Sequence, residues 1–129
     1  MQLRDVMTRN PVSISKDATL QAAAAAMAEE DIGSLPVTDG ARLVGIVTDR
    51  DIVIRALAKG EAATATVASA MTRDIVTCAP TIEVHSAART MGDKQIRRLY
   101  VVENGDLVGV VALGDLAVEA PAGDAAQAL

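Results

Sequence analysis

The sequence predicts an α+β fold built from one βαββα unit written twice, and three observations predict it. The chain aligns with itself at a spacing of 64 residues, without a gap from Met7 to Arg55. Both copies pass through the same order of extended and helical periodicities. Both also carry a hairpin signal between their last two extended runs, Asp39-Gly40 in the first and Asn104-Gly105 in the second.

The register of the repeat is set by identical residues. Met7-Thr8-Arg9 falls on Met71-Thr72-Arg73, Val12 on Val76, Met27 on Met91, Ile32 on Ile96, Leu35 on Leu99, and Leu43-Val44-Gly45 on Leu107-Val108-Gly109. The first copy is expected over residues 1–60 and the second over 61–119. Residues 120–129, with Pro121 and Gly123 and no periodic face, are expected to fray.

Within each copy the elements follow in order. Val12-Ser13-Ile14 and Ile75-Val76-Thr77-Cys78 read as a short first strand. Leu20, Ala24 and Met27, matched by Val84, Ala88 and Met91, recur at helical spacing, with Asp17 and Thr81 as the expected N-caps. The alanines 22–26 predict a flat helix face that lets a neighbour pack closely. Leu35-Pro36-Val37 and Leu99-Tyr100-Val101-Val102 form a second strand, and 43–47 and 107–111 a third, antiparallel to it. A last helix is expected over 49–58 and again over 113–119, and the Gly-, Ala- and Thr-rich stretch 59–66 joins the copies.

Composition narrows the chemistry. Half of the 129 residues are hydrophobic, yet there is no Trp or Phe and a single Tyr, so the core must be thin layers of aliphatic side chains. A net charge of −5 without a basic arm argues against nucleic acid as a partner. Cys78 and His85 are the only residues of their kinds, which excludes an internal disulfide and leaves no set of soft ligands for zinc. The lone thiol reads as a small buried hydrophobe. The longest near-apolar run, Leu20 to Ala28, falls well short of a bilayer span of about 20 residues, so a soluble, cytoplasmic protein with no membrane partner is expected.

Gly45-Ile46-Val47-Thr48-Asp49-Arg50-Asp51 runs from the third strand into a helix, and the second copy reads Gly109-Val110-Val111-Ala112-Leu113-Gly114-Asp115. Thr-x-x-Asp at a helix start is a capping box that satisfies backbone donors. It is also a hydroxyl and a carboxylate held at a positive helix end. That Asp115 persists where Ala112 cannot cap is a point in favour of a ligand. The two readings stay open on sequence.

This pattern, with Met7-Thr8, the run Asp31 to Val37 and the tandem duplication, resembles the cystathionine-β-synthase (CBS) domain family over nearly the whole chain. The resemblance implies two repeats packed as a pseudo-twofold pair, a Bateman module, with clefts for adenosine derivatives. In such a cleft Asp51 accepts hydrogen bonds from the ribose hydroxyls. Thr48 lies beside backbone N–H groups that favour a phosphate. Val12, Ile14, Leu35 and Pro36 wall the base. Asp115 and Val76 are the counterparts in the second copy, and the resemblance also points to Arg97 or Arg98 as a phosphate contact. Lys16, Arg50 and Arg55 read as surface cations.

The expected function is a non-catalytic module sensing AMP, ADP or ATP, with no required cofactor, whose ligand changes repeat packing and hence what an effector protein meets. No Ser/His/Asp set, metal-ligand set or P-loop accompanies the motif, so no enzyme is expected. Two alternatives remain: a structural, dimerising module with empty clefts, or a binder of NAD or S-adenosylmethionine. A homodimer is expected because Ile52 to Leu57 has apolar residues on more than one helix face. The complete Thr48/Asp51 cleft is expected to be the tighter one.

Overall fold

The structure is a computed structural model that describes residues 1–119, so the expected tail lies outside the described residues. In chain order these form α1 (Leu3–Val6), β1 (Thr8–Arg9), β2 (Ile14–Ser15), α2 (Leu20–Glu30), β3 (Ser34–Asp39), β4 (Arg42–Thr48), α3 (Asp49–Asp51), β5 (Thr77–Cys78), α4 (Val84–Lys94), β6 (Arg98–Glu103), β7 (Asp106–Ala112) and α5 (Leu113–Glu119). The α+β class and the repeated βαββα order are as expected. The chain forms two compact units, Val12–Ile75 and, from both sides of it, Met1–Pro11 with Val76 onward.

In the unit Val12–Ile75, β2 runs parallel to β3 and β3 antiparallel to β4. Alternation along the strands turns Leu35, Val37 and Val47 toward the core, where they meet Leu20, Ala23 and Met27 of α2 together with Ile52 and Ala56. The opposite sheet face carries Ser34 and Pro36, directly across from Thr48 and Ile46. In the other unit the strands run β5-β6-β7-β1. Its core gathers Leu3, Val84, Ala88, Met91, Leu99, Val101, Val111 and Leu116. Burying each such Leu or Val side chain stabilises by roughly 1.5–3 kcal/mol, and with no large aromatic available these contacts carry both cores.

The duplicated sequence and the compact units are offset by the first eleven residues. Each Met-Thr pair sits against the third strand of the copy it does not belong to. Thr8 pairs with Val110, and Thr72 pairs with Ile46, donating to and accepting from it at 2.8 and 2.9 Å. Gly45 and Gly109 make room for this crossing. A Cβ on Gly45 would stand 2.7 Å from the Thr72 carbonyl and 3.0 Å from Met71 Sδ; one on Gly109 would stand 2.5 Å from Met7 Sδ.

Four local expectations are corrected. The α2 cap is Thr19, whose Oγ1 accepts from Ala22 N at 3.1 Å, and α4 is preceded by Glu83 without a side-chain cap, so both cap positions lie two residues after Asp17 and Thr81. Ala23, fully buried, faces the core where Ala24 was expected, and of alanines 22–26 only Ala23 and Ala26 meet it. The first hairpin turns on Gly40-Ala41, one residue after the Asp-Gly signal, because Asp39 still pairs with Arg42; only Gly40 there takes positive φ (63°). The helix expected over 49–58 starts as α3 but widens into a π-helix over Ile52–Ala56 and tightens into a 3-10 turn over Leu57–Lys59. Leu57 N accordingly donates to Ile52 O, five residues back, with three β-branched or aromatic-free aliphatics, Ile52-Val53-Ile54, crowding the turn.

Candidate functional site

The strand-to-helix corner at Thr48 is built from three local facts. Thr48 ends β4 with extended backbone, so its side chain stands at the mouth of α3. Asp51 N donates to Thr48 Oγ1 and Thr48 N donates to Asp51 Oδ2, both at 3.0 Å. Asp49 N donates to Gly33 O at 2.9 Å, which ties the helix start to the head of β3. The capping box is therefore complete, and the Asp51 side chain is only 13% exposed.

The box still leaves chemistry available. Thr48 Oγ1 accepts through a lone pair, and its own hydroxyl hydrogen remains free to donate, while a carboxylate offers about four acceptor positions. Asp51 Oδ2 serves Thr48 N, and Oδ1 faces Arg55 Nε at 3.6 Å. Capping thus leaves valences of both side chains unused. The cap holds the rotamers in which a diol and an anion would be met. Arg55, read from sequence as a surface cation, is an i,i+4 partner of this carboxylate.

The second corner is built alike with different side chains. Leu113 N donates to Arg97 O at 2.8 Å, as Asp49 does to Gly33. Ala112 N donates to Asp115 Oδ2 at 3.4 Å, so the carboxylate half of the capping box survives without the threonine. Asp115 accordingly has a structural use, and its persistence no longer argues by itself for a ligand. Arg98 lies directly opposite Ala112 across the hairpin, on the site face, whereas Arg97 precedes β6 and contributes its carbonyl to the helix start. The cation stands beside the position where the hydroxyl is lost.

The expected apolar walls divide. Val12 is 45% exposed, whereas Pro36, on the same sheet face as Ser34 and Thr48, is buried. Leu35 is fully buried in the core on the opposite face and has no surface to offer a base. Ile14 and Val76 are half-buried and lean against the two cores. Sequence reasoning missed Ser34 and Ile46, which the hairpin register places next to Thr48 and Pro36. Counting outward from the turn would not have found them, because a bulge between Val37 and Thr38 shifts the register by one residue. Cys78 is half-buried against its core, and loss of solvation raises its thiol pKa. Among the described residues no three His, Cys, Asp or Glu side chains gather to hold a metal ion. No helix there is long and apolar enough to cross a membrane.

Two βαββα units, each with a strand-to-helix corner of the same build, define a small protein of duplicated α+β domains. The chain belongs to the CBS-domain family, whose profile matches residues 3–57 and 67–122. It is 39% identical over 116 residues to the CBS domain-containing protein YhcV of Bacillus subtilis, covering 90% of this chain and 83% of that one. It is 38% identical over 120 residues to hypoxic response protein 1 of Mycobacterium tuberculosis, covering 92% and 84%. Crystal structures agree. Hypoxic Response Protein I, solved with two coordinated zinc ions, superposes with a TM-score of 0.82 at 36% identity, covering 94% of this chain and all of that one. CBSX2 in complex with AMP superposes with a TM-score of 0.78 at 26% identity, covering 92% and 95%.

Proposed function

We propose that this CBS-domain pair is a cytoplasmic, non-catalytic sensor of adenine nucleotides that presents its ligand state to an effector protein. The observation that supports it most is the Thr48/Asp51 corner: a hydroxyl hydrogen and spare carboxylate lone pairs, held in place by their own capping bonds, beside an apolar strand face. The carboxylate suits the vicinal ribose hydroxyls, the hydroxyl and the helix-start amides suit a phosphate, and the exposed Val12 suits a base. AMP in the similar CBSX2 structure fits the same reading. In the second unit Asp115 and Arg98 take the equivalent roles, with Arg97 at the rim and Val76 beside the core. Val53, Ile54 and Leu57, between 50% and 53% exposed, supply an apolar surface for a homodimer.

Calorimetric titration with AMP, ADP and ATP tests the reading, with NAD and S-adenosylmethionine in parallel. Binding of an adenine nucleotide that Asp51→Ala and Asp115→Ala each diminish is the expected result. No heat with any of them favours the structural, dimerising module with empty clefts. That alternative has one observation on its side: Asp51 and Asp115 both have a structural use as capping acceptors.

A further inference from the structure

We propose that the unit formed by Met1–Pro11 and Val76 onward carries a second, separate binding site, for the carboxylate-and-ammonium headgroup of a small amino acid. A cavity of about 170 Å³ is lined by Arg4, Met7, Arg9, Pro80, Glu103 and Val108. It lies at the turn end of the β6–β7 hairpin. Arg98 and Ala112 close the other end, five residues along the strand from Glu103, or about 17 Å at a rise of roughly 3.3 Å per residue. The cavity is therefore distinct from the nucleotide corner.

Its chemistry is specific. Two guanidinium groups stand on a protein of net charge −5, and among the described residues no acidic side chain forms an ion pair with either. Arg4 Nε donates to Gln2 Oε1 at 2.7 Å, which orients the group and leaves its Nη donors for a carboxylate. Glu103 lines the same cavity without reaching either arginine as an ion-pair partner. A small zwitterion would meet the two cations with its carboxylate and Glu103 with its ammonium. Met7, Val108 and Pro80 leave a small apolar floor for a short side chain. An enclosed cavity of about 150 Å³ takes a benzene-sized molecule, so the volume of about 170 Å³ admits a compact amino acid.

The other unit is a built-in control. Its backbone repeats the frame: Arg4 N donates to Pro80 O at 2.9 Å and Ala68 N to Lys16 O at 3.0 Å, while Leu3 N donates to Ile82 O and Val67 N to Ala18 O, both at 2.8 Å. Met71, Arg73, Asp39 and Val44 occupy the positions of Met7, Arg9, Glu103 and Val108. Arg4 is replaced by Ala68, however, and Pro80 by Lys16, whose ammonium is held by Asp17 at 3.2 Å. The paired guanidinium arrangement exists on one side of the duplication only.

The test is NMR titration of the full chain with glycine, alanine and serine, with acetate and methylammonium as single-charge controls, following the Met7 methyl and Val108 amide. Saturable shifts with the amino acids and weaker ones with acetate are expected. Arg4→Gln with Arg9→Gln should weaken binding about ten- to a hundredfold, as loss of charge-assisted contacts requires. Glu103→Gln should erase the preference for glycine over acetate, whereas Arg73→Gln and Asp115→Ala should change nothing. Failure of the wild-type protein to give any saturable shift overturns the proposal, as does undiminished binding in the folded double-arginine variant. Loss of binding in Asp115→Ala would assign the response to the nucleotide corner and overturn it equally.

Discussion

Replacing either crossing glycine by alanine should separate two kinds of crowding. At Gly45 the new methyl group would stand 2.7 Å from the Thr72 carbonyl oxygen, with Met71 Sδ at 3.0 Å and Cγ at 3.3 Å. The nearest obstacle is backbone, and it is fixed by the two Ile46–Thr72 hydrogen bonds at 2.8 and 2.9 Å. At Gly109 the nearest atom, Met7 Sδ at 2.5 Å, is the far end of a flexible side chain, and the Thr8 carbonyl is 3.1 Å away. Overpacking costs about 1–3 kcal/mol, and each strained hydrogen bond puts a further ~0.5–1.5 kcal/mol at risk. The stiffening of the unfolded chain by alanine returns only about 0.4–1 kcal/mol. Gly45→Ala should therefore destabilise by about 2–4 kcal/mol and Gly109→Ala by about 1 kcal/mol. Urea unfolding measures both, and double-mutant cycles identify the obstacle. Met7→Ala should relieve most of the Gly109→Ala penalty, whereas Met71→Ala should relieve little of that at Gly45. Equal penalties, or full relief of Gly45→Ala by Met71→Ala, would refute this account of the crossing.

Asp51→Ala removes a complete capping box and an ion-pair partner, whereas Asp115→Ala removes one 3.4 Å contact; the first should cost about 1 kcal/mol in urea unfolding and the second well under that. Ala112→Thr restores the missing hydroxyl opposite Arg98 and should tighten AMP binding at that corner about two- to tenfold by calorimetry. Ile54→Asp places a charge within the exposed apolar surface beside Val53 and Leu57 and should convert the expected dimer to a monomer by light scattering. The folded thiol of Cys78 titrates above its ordinary value because it is desolvated, so iodoacetamide should label it more slowly at mildly alkaline pH than in the urea-unfolded chain. Its contribution to stability is present below the unfolded thiol pKa and is lost as pH rises through the higher folded value, which urea melts across that range would show.

The duplication and both hairpins were legible because they rest on short-range periodicity and turn chemistry. A strand alternates every two residues, and Asn104-Gly105 supplies positive φ at both turn positions. The phase of α2 was not legible: five consecutive alanines carry no contrast between faces, so Ala24 could not be told from Ala23. Its cap was ambiguous for a similar reason, since Asp17 and Thr19 both offer an acceptor within two residues of each other. The Thr48/Asp51 corner could be found because its partners are three residues apart. That Leu35 faces the core and Arg98 faces the site followed only once the register was fixed, since a slip of one residue exchanges the two faces. The crossing of Met7 over Gly109 had no local signature, because the two residues stand far apart in the chain and Met71 meets Gly45 at a quite different separation.

That crossing also sets an order of assembly for a chain made from its N-terminus. The unit Val12–Ile75 is a continuous stretch, and its crossing contact joins Ile46 to Thr72, 26 residues apart. The partners of its internal contacts have all been synthesised once Ile75 emerges. Thr8 must wait for Val110, 102 residues later, so Met1–Pro11 is made first and docks last. Its residues Leu3, Val6 and Met7 remain unburied while the ribosome, at about 5–20 residues per second, makes the intervening hundred. For several seconds the nascent protein therefore displays a short apolar segment ahead of the unit Val12–Ile75, and the slow step in its maturation should be the closure of that long loop.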